Sequence, residues 1–126
     1  MYDEVGEQFF VDLVDHFYDG VAGDEVLIVL YPEQDDLTGA RERLRLFLIQ
    51  YWGGPTTYSD ERGHPRLRQR HFPFVIGQRE RDHWLQHMNA AIDATCAARG
   101  SDESVRQRLR DYMTNAANHM VNASDD

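Results

Sequence analysis

The sequence predicts an all-α fold, and three observations carry that expectation. Apolar residues recur at helical intervals along most of the chain. No stretch alternates polar and apolar residues with period two over a useful length. Glycine and proline fall between helix-sized segments. With 126 residues, 41% hydrophobic and 11% aromatic, the chain suits one domain, residues 1–126, around one core.

The elements follow in order. Phe10, Leu13, Val14, Phe17 and Val21 fall on one apolar stripe of a first helix. A short apolar segment, residues 26–31, stops at Pro32, and acidic residues 33–36 read as a loop. Thr38 is the expected N-cap of a helix with Ala40, Leu44, Phe47, Leu48 and Tyr51 on one side. Gly53-Gly54-Pro55 ends that helix, and residues 56–63 read as a polar loop. A short helix is expected over residues 64–72, stopping before Pro73. Gly77 precedes a long helix with Trp84, Leu85, Met88 and Ile92 on one face. Gly100-Ser101-Asp102 breaks the chain and recaps it before a last helix carrying Val105, Leu109, Tyr112, Met113, Ala116 and Met120. Residues 122–126 are expected to fray. The result is four substantial helices and a few short ones.

Charge narrows the function classes. The formal net charge is −9, and the first 40 residues hold 11 acids and no base. Nine of the 13 basic residues fall within residues 41–81, and all 13 are arginine. A G+C-rich coding sequence also yields arginine-only usage, but arginine forks grip carboxylates in a way that lysine does not. Overall acidity argues against nucleic-acid binding, so the local arginine cluster points to a small acidic partner. No apolar run approaches the roughly 20 residues of a membrane helix, and residues 2–7 are acidic, unlike a signal peptide. Cys96 is the only cysteine, which excludes an intrachain disulfide and makes a cytoplasmic location the expectation.

Several constellations could carry chemistry. His16 and His119 read as surface histidines. Glu80, His83 and His87 share a helical face, but a di-iron bundle site needs a second Glu-x-x-His, and the chain has none. A solvated face is therefore expected. Gly53-Gly54 lacks the following Lys-[Ser/Thr] of a phosphate loop, and Cys96 reads as a small core residue. The stretch His64-Pro65-Arg66-Leu67-Arg68-Gln69-Arg70-His71-Phe72 is different. Pro65 fits the first turn of a helix, with His64 at its entrance. An imidazole at His71, near the helix end, can direct Nε2 at a metal while Nδ1–H bonds a carbonyl. Haem iron takes one such histidine, haem propionates suit arginine forks, and the ring suits Phe and Leu. The spacing alone leaves this open.

Longer motifs carry a resemblance. Phe17-Tyr18, Leu30-Tyr31-Pro32, the run from Glu42 through Gln50-Tyr51-Trp52-Gly53-Gly54-Pro55, Thr57-Tyr58-Ser59, Arg62-Gly63-His64-Pro65-Arg66-Leu67-Arg68, Arg70-His71 and Glu80-Arg81-Asp82-x-Trp84-Leu85 occur in order. Together they resemble the group II, or O-type, truncated haemoglobins of bacteria, from Tyr2 to about Val121. The resemblance implies a two-on-two α-helical sandwich around haem b. It implies His71 as the proximal iron ligand and Tyr18, Tyr31 and Trp84 as polar distal residues. Ala40 stands where larger globins keep a distal histidine. Leu44, Phe47, Leu48 and Met88 match pocket-lining positions, and Arg43, Tyr58 and Arg70 match residues facing the propionates. His64, Leu67 and Phe72 border the same pocket. There are departures: residues 33–36 run one residue long, Thr56 stands where arginine is common, and Gln69 and Phe72 replace the more usual Met and Ala.

The function expected on that resemblance is binding of O2, NO, CO or a related small ligand at the haem. Phenol and indole donors can hold a partly negative ligand by a bond worth about 1.5–3 kcal/mol. NO dioxygenation or a peroxidase-like reaction is expected over simple O2 transport, with electrons from a separate reductase, since the chain shows no reductase segment. A homo-oligomer is left open. The alternative class is a haem-free helical interaction or metal-binding module.

Overall fold

The computed structural model describes residues 1–31, 36–63 and 76–121. Those residues are helical and contain no strand. The helices are α1 (Tyr2–Val5), α2 (Glu7–Ala22), α3 (Glu25–Ile28), α4 (Thr38–Tyr51), α5 (Thr57–Arg62), α6 (Gln78–Arg99) and α7 (Glu103–Met120). No helix among the described residues is long and apolar enough to cross a membrane. The arrangement is two pairs, α2 with α4 and α6 with α7, joined where α2 lies on α6. This is the expected two-on-two α-helical architecture.

The apolar stripe of α2 dictates that arrangement. Phe10, Leu13, Phe17 and Val21 are fully buried and Val14 nearly so, and Phe9 and Tyr18 widen the buried face. Met88, Ile92 and Cys96 face them from α6, and Val105, Leu109 and Met113 from α7. Cys96 is thus the small core residue the sequence predicts. On α7, Ala117 rather than Ala116 completes the buried row, continuing the four-residue spacing of Val105, Leu109 and Met113. On α4, Tyr51 is 52% exposed, whereas Ala40, Phe47, Leu48 and Ile49 are buried.

Local chemistry explains the boundaries, including two the sequence places differently. Thr38 is the first residue of α4, not its cap: Leu37 holds the N-cap position and Asp36 Oδ1 accepts the Thr38 N–H at 3.0 Å. Leu37 is buried, which fixes it there. Residues 57–62 form α5 instead of a loop. Their polar sequence conceals the helix because its anchor is hydrogen bonding: Gln50 Oε1 accepts the Ser59 N–H at 2.9 Å, and Gln50 Nε2 donates to Ser59 Oγ at 2.7 Å. Gly53, with φ 103°, follows α4 as the expected stop. Gly100, with φ 62°, closes α6 in the left-handed conformation.

The uneven charge is partly resolved within the fold. Arg41 of α4 reaches Asp15 and Asp19 of α2 at 3.1 and 3.0 Å, Arg99 pairs with Asp12, and Arg108 meets Glu4 at 3.0 Å. Four of the amino-terminal acids, Glu4, Asp12, Asp15 and Asp19, therefore meet arginines from later elements. These pairs are largely exposed and orient helices more than they stabilise them.

Candidate functional site

The last turns of α2 begin the site. Tyr18 lies one turn beyond Val14 on the buried face and is 5% exposed. The Gly23 and Asp24 N–H groups donate to Gly20 and Val21 carbonyls, so α2 unwinds directly into Asp24. Asp24 Oδ1 then accepts the Val26 and Leu27 N–H groups at 2.8 and 3.2 Å and caps α3. The Leu30 N–H donates to Leu27 O, and the Tyr31 N–H to Ile28 O, carrying the turn to Tyr31.

This reversal returns Tyr31 to Tyr18. Their rings meet edge to face at 5.6 Å, which brings the two phenols together. Burial pushes the Tyr18 phenol up, and pushes Tyr31 well above the ordinary tyrosine value with the Tyr18 oxygen adding to it. Both remain neutral O–H groups across the physiological range. Arg41 lies over the Tyr18 ring, its guanidinium carbon 5.9 Å from the centroid.

Trp84 joins them from α6. Its ring packs on Phe17 at 5.3 Å, and Phe17 packs on Tyr18 at 4.9 Å. Trp84, Phe17, Tyr18 and Tyr31 thus form one line of edge-to-face rings. Ala40, Phe47 and Leu48 on α4, Tyr58 on α5 and Met88 on α6 are buried in the same cluster, with Leu44 packed against it. Tyr58 sets its ring edge against Phe47 at 5.7 Å. The sequence-predicted residues Tyr18, Tyr31, Leu44, Phe47, Leu48, Tyr58, Trp84 and Met88 all lie in the core cluster or pack against it. His64, Leu67, Arg70, His71 and Phe72 lie outside the described residues.

The arginines separate by partner. Arg41, Arg79, Arg81, Arg99, Arg106, Arg108 and Arg110 each meet a carboxylate. Half-buried Arg43 and Arg45 form no ion pair among the described residues, and Arg45 Nε is buried without a partner. Arg43 falls on the helix face of Ala40, Leu44 and Phe47. An apolar wall, neutral donors and an arginine lacking an acid suit a flat apolar group that carries carboxylates. On this test the residues present fit haem.

One reading needs correction. Glu80, His83 and His87 are not a solvated face. Glu80 Oε1 accepts the Gly77 N–H at 2.9 Å, closing the start of α6. His83 Nδ1 and His87 Nε2 lie 2.9 and 2.7 Å from Asp24 Oδ2. Among the described residues no group of three or more His, Cys, Asp or Glu could hold a metal ion. Sequence reasoning also missed Asp24 and Phe17 as site residues. An acid before a short apolar segment, with histidines at i and i+4 elsewhere, was the available signal for Asp24.

Comparison with known proteins places these features. A sequence profile for bacterial-like globins matches residues 1–122. A group 2 truncated haemoglobin of Bacillus subtilis is 39% identical over 124 residues, spanning 98% of this chain and 89% of its own. The structure of a thermostable haemoglobin from Thermobifida fusca superposes with a TM-score of 0.90 at 54% identity, covering 97% of this chain and 96% of the other. That of a truncated oxygen-avid haemoglobin from Bacillus subtilis superposes with a TM-score of 0.86 at 40% identity, covering 96% and 98%.

Proposed function

Because the chain belongs to the bacterial-like globins, as a group 2 truncated haemoglobin whose cofactor is haem, we propose that its single domain binds O2 tightly and uses it in nitric oxide oxidation. The haem supplies the iron at which a diatomic ligand binds and which changes oxidation state as nitric oxide becomes nitrate. His71 would bind the iron, with its sequence neighbours Arg70 and Phe72 serving a propionate and the ring. Arg43 and Tyr58 hold the propionate edge, with His64 and Leu67 at the border. Leu44, Phe47, Leu48 and Met88 supply the apolar wall that keeps water out.

The observation that carries this reading is the contact of buried Tyr18 with half-buried Tyr31, joined through Phe17 to Trp84. Neutral phenols and an indole can donate to a ligand that gains negative charge. A donor already placed in a dry site costs no reorganisation when that charge develops. With alanine at position 40, distal polarity rests on these three. The oxygen avidity stated for the Bacillus subtilis structure agrees with such a set. Slow ligand loss favours chemistry over transport. Turnover needs an electron donor for the iron, a role this reading gives to a reductase. A peroxidase-like use of the same donors is the second enzymatic reading, and a buried lone thiol suits a cytoplasmic setting.

Reconstitution with haem tests the assignment. Wild-type protein develops a Soret band with one protein-derived ligand on the iron. His71→Ala abolishes that ligation, and added imidazole restores it. A His71→Ala protein with the wild-type spectrum contradicts the ligand assignment.

A further inference from the structure

The donors Tyr18, Tyr31 and Trp84 come from three different segments, so something must fix where they stand relative to one another. We propose that Asp24, His83 and His87 form a positioning hub that sets the placement of Tyr18, Tyr31 and Trp84. The inference rests on the distal reading given above.

Asp24 is the joint between α2, which carries Tyr18, and the turn that ends at Tyr31. Its two carboxylate oxygens divide the work. Oδ1 accepts the Val26 and Leu27 N–H groups at 2.8 and 3.2 Å and orients α3. Oδ2 receives His83 Nδ1 and His87 Nε2 at 2.9 and 2.7 Å. An ionised carboxylate only accepts, so both ring nitrogens carry a proton toward it. The Asp24 side chain is 10% exposed. Burial raises its carboxyl, but the two imidazoles and two backbone N–H groups overcome that and hold it far below the ordinary aspartate value.

The two histidines flank Trp84 in α6, one residue before it and three after. Binding both to one oxygen fixes the rotation of that turn about the helix axis, and with it the direction of the Trp84 side chain. The close approach of α2 to α6 is part of the same joint. A Cβ on Gly20 would lie 2.4 Å from His87 Nδ1, so the glycine leaves the space the imidazole fills. Asp24, His83 and His87 act through Tyr18, Tyr31 and Trp84 and are positioning residues.

The test uses the haem-loaded full chain with carbon monoxide as the probe. The infrared stretch of bound CO reports the donors facing it, and CO dissociation reports their strength. The alanine pair His83→Ala/His87→Ala removes both bonds. The amide pair His83→Asn/His87→Gln keeps a donor where Nδ1 and Nε2 stood. We expect one narrow CO band in the wild type and more than one in the alanine pair, with dissociation roughly 3- to 30-fold faster. The amide pair restores the single band. A folded alanine pair with the wild-type band and rate overturns the hub, as does an amide pair that behaves like the alanine pair. If the alanine pair does not take up haem, Gly20→Ala is read instead. It displaces His87 without removing a hydrogen-bonding group, and a shifted band supports the hub while an unchanged band overturns it. Tyr18→Phe and Trp84→Phe run alongside. If these move the band and the hub variants do not, the hub falls and the distal reading stands; if none moves it, both fall.

Discussion

Two aromatic clusters sit at different places in this fold, and they differ in which elements they join. In the first, buried Tyr18 meets half-buried Tyr31 edge to face and connects through Phe17 to Trp84. In the second, Tyr51, Trp52 and Tyr112 pack together at the carboxyl-terminal end of α4, Trp52 edge-on to both tyrosines and the tilted Tyr51 and Tyr112 rings 4.2 Å apart. Tyr51 is 52% exposed there, and burial, with Tyr51 adding to it, pushes the Tyr112 phenol up to about 12. The Trp52 carbonyl accepts the Tyr2 N–H at 2.9 Å, so this second group fastens the amino-terminal segment. Aromatic density alone therefore does not mark a site. Two tyrosine rings in contact, on segments joined by an acid that bridges three helices, distinguish the first cluster from a packing seam.

The largest expected effect tests whether the first cluster is one unit. Phe17 is fully buried between Trp84 and Tyr18. Phe17→Ala should destabilise the protein by about 3–5 kcal/mol, the usual cost of a large core cavity, and disturb ligand kinetics as well. Chemical denaturation checks the first part. A loss below about 1 kcal/mol would mean that neighbouring rings close the gap and the line is not rigid.

A smaller effect belongs to the acid that ties the segments. The Asp24 carboxyl is depressed in the folded state, so its stabilisation is present above the ordinary carboxylate range and is lost as pH falls through that range toward the folded value. Melting temperature should therefore drop more steeply below about pH 4 in the wild type than in Asp24→Asn. Near neutral pH, Asp24→Ala should cost about 1–2 kcal/mol from the lost cap. Parallel acid slopes in thermal melts would show that the clamp does not favour the ionised acid.

The smallest effect comes from the second cluster. Tyr112→Leu removes the ring partner of Tyr51 and should cost about 0.5–1.5 kcal/mol, with ligand dissociation unchanged. Differential scanning calorimetry beside flash photolysis reads both. A change in ligand kinetics without a change in stability would erase the distinction between the clusters.

These contrasts bear on what was legible in the sequence. The stripe Phe10, Leu13, Val14, Phe17 and Val21 was readable because helical period and burial coincide there. α5 was not, since Ser59 is held by Gln50 through hydrogen bonds that leave no apolar pattern. α1 is four residues long and held by Trp52 and Arg108, both distant in sequence. Tyr18, Tyr31 and Trp84 were named from ordered motifs, and their convergence depends on the reversal at Asp24. His83 and His87 read as a solvated face in the sequence because their acceptor lies 59 and 63 residues earlier. Long-range polar pairing is what a single sequence conceals best.

The central claim is that the phenols of Tyr18 and Tyr31 and the indole of Trp84, rather than aromatic residues in general, hold the haem ligand. Stopped-flow O2 dissociation tests it most directly. Tyr18→Phe, Tyr31→Phe and Trp84→Phe would be combined in one protein and compared with Tyr51→Phe/Tyr112→Phe. Loss of a charge-assisted bond worth about 1.5–3 kcal/mol predicts roughly 10- to 150-fold faster release in the first variant. The second should release O2 at the wild-type rate. Equal rates in all three proteins would contradict the account.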